Sequence, residues 1–238
     1  MKFLFRILTF GLLFFVFSAC YRKTLPENIH TLSLVNSIAI LRISDFSKPE
    51  IVYYNDDIPM EDYYDEYYDD EDNQLNFNVK LLNNEVLVYD YSSVQLNMPS
   101  SVIRNFSFDL DSSDMFGKKD VFHFKNLKFA LNYSNVILND IQADTIRLHM
   151  QGKSYFIIDK GRSKLFSITA SGNSQFVSHS FSAKNFYIDL MDSARATISY
   201  FDEVRGRISG NSELIIDSAD TSKVHIVVND NAKIIFKN

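Results

Sequence analysis

Three sets of residues have the types and spacing to do chemistry. Cys20 is the one cysteine of the 238-residue chain and directly follows Phe17-Ser18-Ala19. A thiol placed behind a short apolar run is the nucleophile that a lipid-transfer reaction uses. Asp159, His179 and Ser199 recur at 20-residue intervals, in the acid, base, hydroxyl order of a nucleophilic triad. Asp65, Glu66, Asp69 and Asp70 lie within residues 56–72, which hold ten acids and no base. Carboxylate oxygens of this kind suit a hard cation such as Ca²⁺.

Other chemistries find no support. His30, His123, His149, His179 and His225 form no i, i+2 or i, i+4 pair, and one cysteine makes neither a disulfide nor a close His/Cys ligand set. No G-x-S-x-G elbow and no phosphate-cradling glycine loop occurs. No cofactor is expected.

The amino-terminal segment is an address. Lys2 and Arg6 precede an apolar run of 11 residues, Ile7 to Phe17. A membrane-spanning helix needs about 20 residues, so this run is an export signal. Phe17-Ser18-Ala19-Cys20 resembles a bacterial lipobox, with Phe17 in place of the usual Leu. That resemblance implies diacylation of Cys20 and loss of residues 1–19. A soluble body carried on acyl chains is anchored to a membrane without crossing it. Residues 21–24, Tyr-Arg-Lys-Thr, carry no acid. This favours the periplasmic face of the outer membrane over the cell surface.

Residues 20–238 hold 22 basic and 30 acidic side chains. Without residues 56–72 the balance is close to neutral, so the acidity is one local feature. No basic stripe exists for nucleic acid. The acidic stretch has no glycine turn and no D-x-D-x-D spacing. A solvated, self-repelling insertion explains 56–73 more simply than a calcium site at Asp65, Glu66, Asp69 and Asp70.

The elements that must position these groups are strands. Alternation runs through Ser37 to Ile43, Ile51 to Tyr54, Leu75 to Leu81, Glu85 to Tyr89, Val94 to Pro99 and Phe106 to Leu110. Asn83-Asn84 joins two of them as a hairpin, and residues 111–120 read as a loop. From 120 the chain repeats. Gly152-Lys153-Ser154, Gly172-Asn173-Ser174, Asp192-Ser193-Ala194, Gly210-Asn211-Ser212 and Asp230-Asn231-Ala232 are spaced by 20, 20, 18 and 20 residues. Apolar columns keep step with them: Ile146, Phe166, Phe186, Val204, Val224; Met150, Ala170, Leu190, Ile208, Val228; Phe156, Phe176, Ala196, Leu214, Ile234. An apolar column at a fixed period means coils stacked about a continuous core. The expected fold is all-β, a right-handed parallel β-helix or solenoid-like stack of ~20-residue coils preceded by an antiparallel β segment. Its parts are a signal peptide (1–19), a lipidated linker (20–34), an N-terminal β segment (35–119, with the insertion 56–73) and a coil region (120–238).

These turn-flanked repeats, preceded by Leu75 to Tyr89 and by Val94-Gln95-Leu96-Asn97-Met98-Pro99, resemble the head-GIN domain family, the adhesin-type head of autotransporters. The likeness covers roughly residues 35–238. Asp192 and Asp230 depart from the family's glycine-richer turns, and the acidic insertion departs too. The resemblance implies parallel β-coils and an adhesive role in a Gram-negative, Bacteroidetes-like envelope, and it carries no catalytic residues.

The same repeat bears on the triad. Stacked coils would put Asp159, His179 and Ser199 on a flat outward ladder, which offers no oxyanion hole or cleft. The outward columns Arg147, Ser167, Tyr187, Arg205, His225 and His149, Thr169, Asp189, Arg207, Val227 mix charges without a catalytic cluster. Arg147, Arg205 and Arg207 could hold an acidic glycan, but pairing with Asp189 is the simpler expectation. The expected function is a non-enzymatic envelope lipoprotein that binds a glycan, an envelope protein or another copy of itself. The alternative is a β-helix enzyme or binding protein acting on an acidic polysaccharide.

Overall fold

The computed structural model describes residues 21–25, 27–44, 48–53, 79–82, 85–89, 93–99, 105–117, 121–217 and 221–237. The first nine strands are β1 (Tyr21–Thr24), β2 (Thr31–Val35), β3 (Ile38–Ser44), β4 (Glu50–Tyr53), β5 (Val79–Leu82), β6 (Glu85–Val88), β7 (Ser93–Pro99), β8 (Asn105–Asp111) and β9 (Asp114–Gly117). They are followed by β10 (Val121–Asn132), β11 (Asn135–Gln151), β12 (Tyr155–Ala170), β13 (Gln175–Leu190), β14 (Arg195–Ile198), β15 (Tyr200–Ile208), β16 (Glu213–Ile216), β17 (Val224–Val228) and β18 (Lys233–Phe236). All belong to one 18-stranded sheet that winds as a β-solenoid.

Alternation explains the winding. In β12, Phe156, Ile158, Ser163, Phe166, Ile168 and Ala170 point inward, and residues 159–162 form the corner between two arms. The inward columns stack as the spacing predicts: Ile146 on Phe166 on Phe186, and Met150 on Ala170 on Leu190. Aromatic rings fill much of the interior. Phe106, Phe108, Phe129 and Phe156 form a chain of ring contacts with centroids 4.8–5.0 Å apart. Phe166 then meets Phe176, Phe181 and Phe186 at 5.1–5.5 Å.

The N-terminal part differs from expectation in an informative way. Antiparallel pairing is confined to β1 with β4, β4 with β7 and β5 with β6, the last being the expected hairpin. β2, β3 and β6 to β9 are parallel and belong to the coil stack. Residues 114–117, expected in a loop, form β9 between β3 and β11. Coils are also out of sequence order. The coil of β2 and β3 lies between that of β6 and β7 and that of β8 and β9. β4 and β5 then run antiparallel along the outer edges of β7 and β6. This end of the solenoid therefore carries the reversed strands β4 and β5, with Lys80 on β5, and then β1, with Arg22 and Lys23, a composition that discourages further strand addition.

The repeat begins earlier than glycine alone reveals. Asn36, Ser112 and Tyr133 have φ of 48°, 50° and 49°, and each precedes a buried serine: Ser37, Ser113 and Ser134. These serines form a ladder with Ser154. The backbone N–H groups of Ser37, Ser113 and Ser134 donate to the hydroxyls of Ser113, Ser134 and Ser154 at 3.0, 3.1 and 3.2 Å. Each hydroxyl in turn donates to a carbonyl of its own turn, at 2.8 Å for Ser113, Ser134 and Ser154. In the last three turns the backbone closes on itself: Ala194 N–H donates to Met191 O, Ser212 N–H to Ser209 O and Ala232 N–H to Asn229 O. Asp192 and Asp230 adopt φ of 61° and 57°, and their carboxylates accept the N–H of Gly172 and Gly210 on the coil below at 2.9 Å. The two aspartates thus add an inter-coil bond that glycine cannot make. Ser134→Ala strands the buried N–H of Ser113. It is expected to cost about 1–3 kcal/mol in urea unfolding, and an unchanged midpoint would show that the ladder is dispensable.

At the other end, β17 and β18 pair on one side only among the described residues, and Val227, Val228, Ile235 and Phe236 are exposed.

Candidate functional site

The acid–base–hydroxyl column is only partly assembled. Asp159 Oδ1 lies 3.1 Å from His179 Nδ1, both half exposed on adjacent coils. Ser199 does not join them. Its hydroxyl is buried and donates to Ser178 O at 3.3 Å. The cause is the coil of 18 residues. β13 pairs with β14 at an offset of 20 (Val177 with Thr197) but with β15 at an offset of 18 (Ser182 with Tyr200). Two residues are lost at the corner that Ser199 occupies, so the strand pulls its hydroxyl into backbone hydrogen bonding. Among the described residues no relay from Asp159 through His179 reaches a nucleophile.

The outward arm columns exist in the register expected, and most of their charge is internally matched. Arg207 makes a bidentate pair with Asp189 at 2.8 and 2.9 Å. Arg205 meets Glu203 at 2.7 Å, and His225 lies 3.6 Å from the same carboxylate. Hydrogen bonding to these acids holds both guanidinium groups more firmly protonated than usual. Arg147 makes no ion pair among the described residues. Pairing, not ligand capture, therefore accounts for Arg205 and Arg207.

An unforeseen site lies beside the column of Asp159, His179 and Ser199, at the same corner of the coils. An open groove of about 1220 Å³ runs across five successive coils. Its floor is the column Phe124, Ala143, Ser163, Ala183, Phe201, small in the middle and aromatic at both ends. One wall is His123, Gln142, Arg162, Ser182, Tyr200, in register along the same strands. The other wall is Lys125, Asp144, Lys164, Lys184, Asp202, and Ser199 and Asp217 complete the lining. Lys164 Nζ donates to Asp144 Oδ1 at 2.8 Å. That hydrogen bond, reinforced by the charge of Lys164, holds the Asp144 carboxyl below the usual aspartate range. Arg162 donates to Gln142 at 3.3 Å. Lys125 and Lys184 form no ion pair among the described residues. The column Ala143, Ser163, Ala183 was visible as small residues 20 apart. The spacing carries no sign of a bend, so nothing marked the column as a groove.

Solved structures share this architecture. A "putative adhesin" from Bacteroides fragilis superposes with a TM-score of 0.68 at 11% identity, over 92% of this chain and 95% of its own. A "putative adhesin" from Parabacteroides merdae gives 0.63 at 10% identity, over 92% and 96%. A "putative lipid binding protein" from Parabacteroides distasonis gives 0.58 at 10% identity, over 92% and 97%. At such identities the likeness is one of fold. No family model and no curated protein matches the chain.

Cys20 and the acids Asp65, Glu66, Asp69 and Asp70 lie outside the described residues. Among the described residues no three His, Cys, Asp or Glu side chains converge as metal ligands.

Proposed function

We propose that this chain is a non-enzymatic binding module of the bacterial envelope, of the head-GIN adhesin type. In this reading a lipid on Cys20 holds it at the outer membrane, on the periplasmic face. The observation that carries the proposal is the ladder of Asp159 and His179, which ends without a nucleophile while a groove runs along the coil axis. Repetition that stacks like residues builds an extended contact surface more readily than a single reactive centre. The fold shared with the "putative adhesin" structures from Bacteroides and Parabacteroides supports the same reading.

The anchor fits the fold. β1 starts one residue after Cys20, and it pairs with β4, which lies against the outermost coil. The lipid would therefore sit at the antiparallel end, with the parallel coils and the groove extending away from the membrane. Diacylation gives stable attachment where one acyl chain is marginal. Cys20→Ala is expected to abolish incorporation of labelled palmitate and to move the protein from the membrane pellet to the soluble fraction. Full retention in the pellet without label would overturn the anchor.

A further inference from the structure

We propose that the corner groove binds an extended acidic polysaccharide, one saccharide unit to roughly one coil, with its carboxylates on the stacked lysines Lys164 and Lys184. This deepens the binding-module reading and rests on it.

The first argument is charge. Lys184 stands directly above Lys164, since the flanking pairs Ser163 with Ala183 and Leu165 with Asn185 are in register. Like charges facing each other across neighbouring strands are unfavourable. Asp144 lies on the far side of Lys164 and neutralises that lysine alone, at 2.8 Å. Lys184 has Asp202 beside it on the next coil but makes no ion pair among the described residues, and Arg162 lies on the opposite wall of the same groove. Lys125, Arg162, Lys164 and Lys184 thus line a shared space with Asp144, Asp202 and Asp217, and among the described residues only Lys164 and Asp144 are joined as an ion pair. An anion placed there relieves the repulsion and takes hydrogen bonds from the cations.

The second argument is shape. Ala143, Ser163 and Ala183 keep the floor low, so a ligand can lie close to the backbone. Coils succeed each other at ~4.8 Å, a spacing comparable to the length of a pyranose unit. Ser163 is 6% exposed, and its hydroxyl has no hydrogen-bond partner among the described residues. At the far end, Tyr200 is exposed and presents a ring for stacking on a sugar face.

The third argument is what the groove disfavours. Asp202 and Asp217 line the Tyr200 end. They accept hydrogen bonds from hydroxyls, which a polyphosphate chain does not offer. A polyol bearing periodic carboxylates satisfies both ends.

The test uses the full-length protein in mild detergent, with oligogalacturonates of increasing length as probes. Affinity is expected to rise with length until about five units fill the groove, following the coil spacing. Neutral glucans should bind more weakly. Lys184→Gln is expected to weaken oligogalacturonate binding about tenfold, the loss of one charged hydrogen bond. Asp144→Asn is expected to strengthen it about threefold by releasing Lys164. Both sites are on the surface, and circular dichroism should show the folded protein. No binding of oligogalacturonates, or affinities unchanged in both variants, would overturn the proposal. So would binding of phosphatidylglycerol vesicles through Lys184 with no response to the saccharide. The broader reading fails separately. If the wild type and Lys184→Gln capture envelope polysaccharide equally, the groove is wrong and the binding module stands. If neither captures any envelope component, the binding module itself falls.

Discussion

Phe166→Ala is expected to lower the unfolding free energy by about 3–5 kcal/mol. Phe166 is fully buried and touches the rings of Phe176, Phe181 and Phe186, all on β13 of the next coil. Truncation removes the transfer free energy of a phenyl group and leaves a cavity. Walls made of hydrogen-bonded strands cannot easily collapse into it. The coils contact only their neighbours, so the loss falls on the interface of β12 with β13. Tyr187 stacks in the adjacent outward column and is 47% exposed, so Tyr187→Ala should cost under about 0.5 kcal/mol. Urea unfolding of the two variants, followed by hydrogen exchange at β12 and β13, checks the contrast. A loss below about 1 kcal/mol for Phe166→Ala would mean that the central coils are not packed as described.

Gly206→Ala is the second large effect. Gly206 has φ of +143° inside β15, and a Cβ there would lie 1.8 Å from the carbonyl oxygen of Ile188. The obstructing atom is backbone of the paired strand, so it cannot swing away. β15 would have to separate from β13, breaking a ladder that runs from Ser182–Tyr200 to Leu190–Ile208. The combined cost of the disfavoured φ and the displaced strand is expected to be about 3 kcal/mol or more. Gly152 provides the control. It also has positive φ, at +70°, but a Cβ there meets only the ring of Tyr133, which is 61% exposed and can move. Gly152→Ala should cost about 1–2 kcal/mol, the left-handed penalty alone. Equal losses at the two positions would show that close strand approach contributes nothing.

The groove and the failed triad teach the same lesson about repeats. Spacing placed Asp159, His179 and Ser199 in one column, and two of the three do meet. The third was displaced because the 18-residue spacing between Asp192 and Gly210 had to be absorbed somewhere. The sequence shows the deletion but not that it falls at Ser199. Arg205 and Arg207 were recognisable as outward cations, and pairing with Asp189 was the expectation; Arg207 makes that pair across coils, while Arg205 pairs instead with Glu203, two residues away on its own strand.

What the sequence determined by itself is the repeat. A period-two alternation and turns that recur near every twentieth residue fix which side chains face inward, because a one-residue slip would turn every apolar column to solvent. Phe156, Phe166 and Phe186 could be placed in the core on that ground alone. Tertiary structure decided the rest. Alternation is blind to the direction in which a corner bends, so the groove floored by Ala143, Ser163 and Ala183 was not visible. It is equally blind to the order in which distant coils stack, so the insertion of β2 and β3 between later coils was not visible either. The N-terminal turns at Asn36, Ser112 and Tyr133 escaped notice because their positive φ is held by a ladder of serine hydroxyls from neighbouring coils. That support comes from residues about 20 positions and more away along the chain, and no local pattern records it.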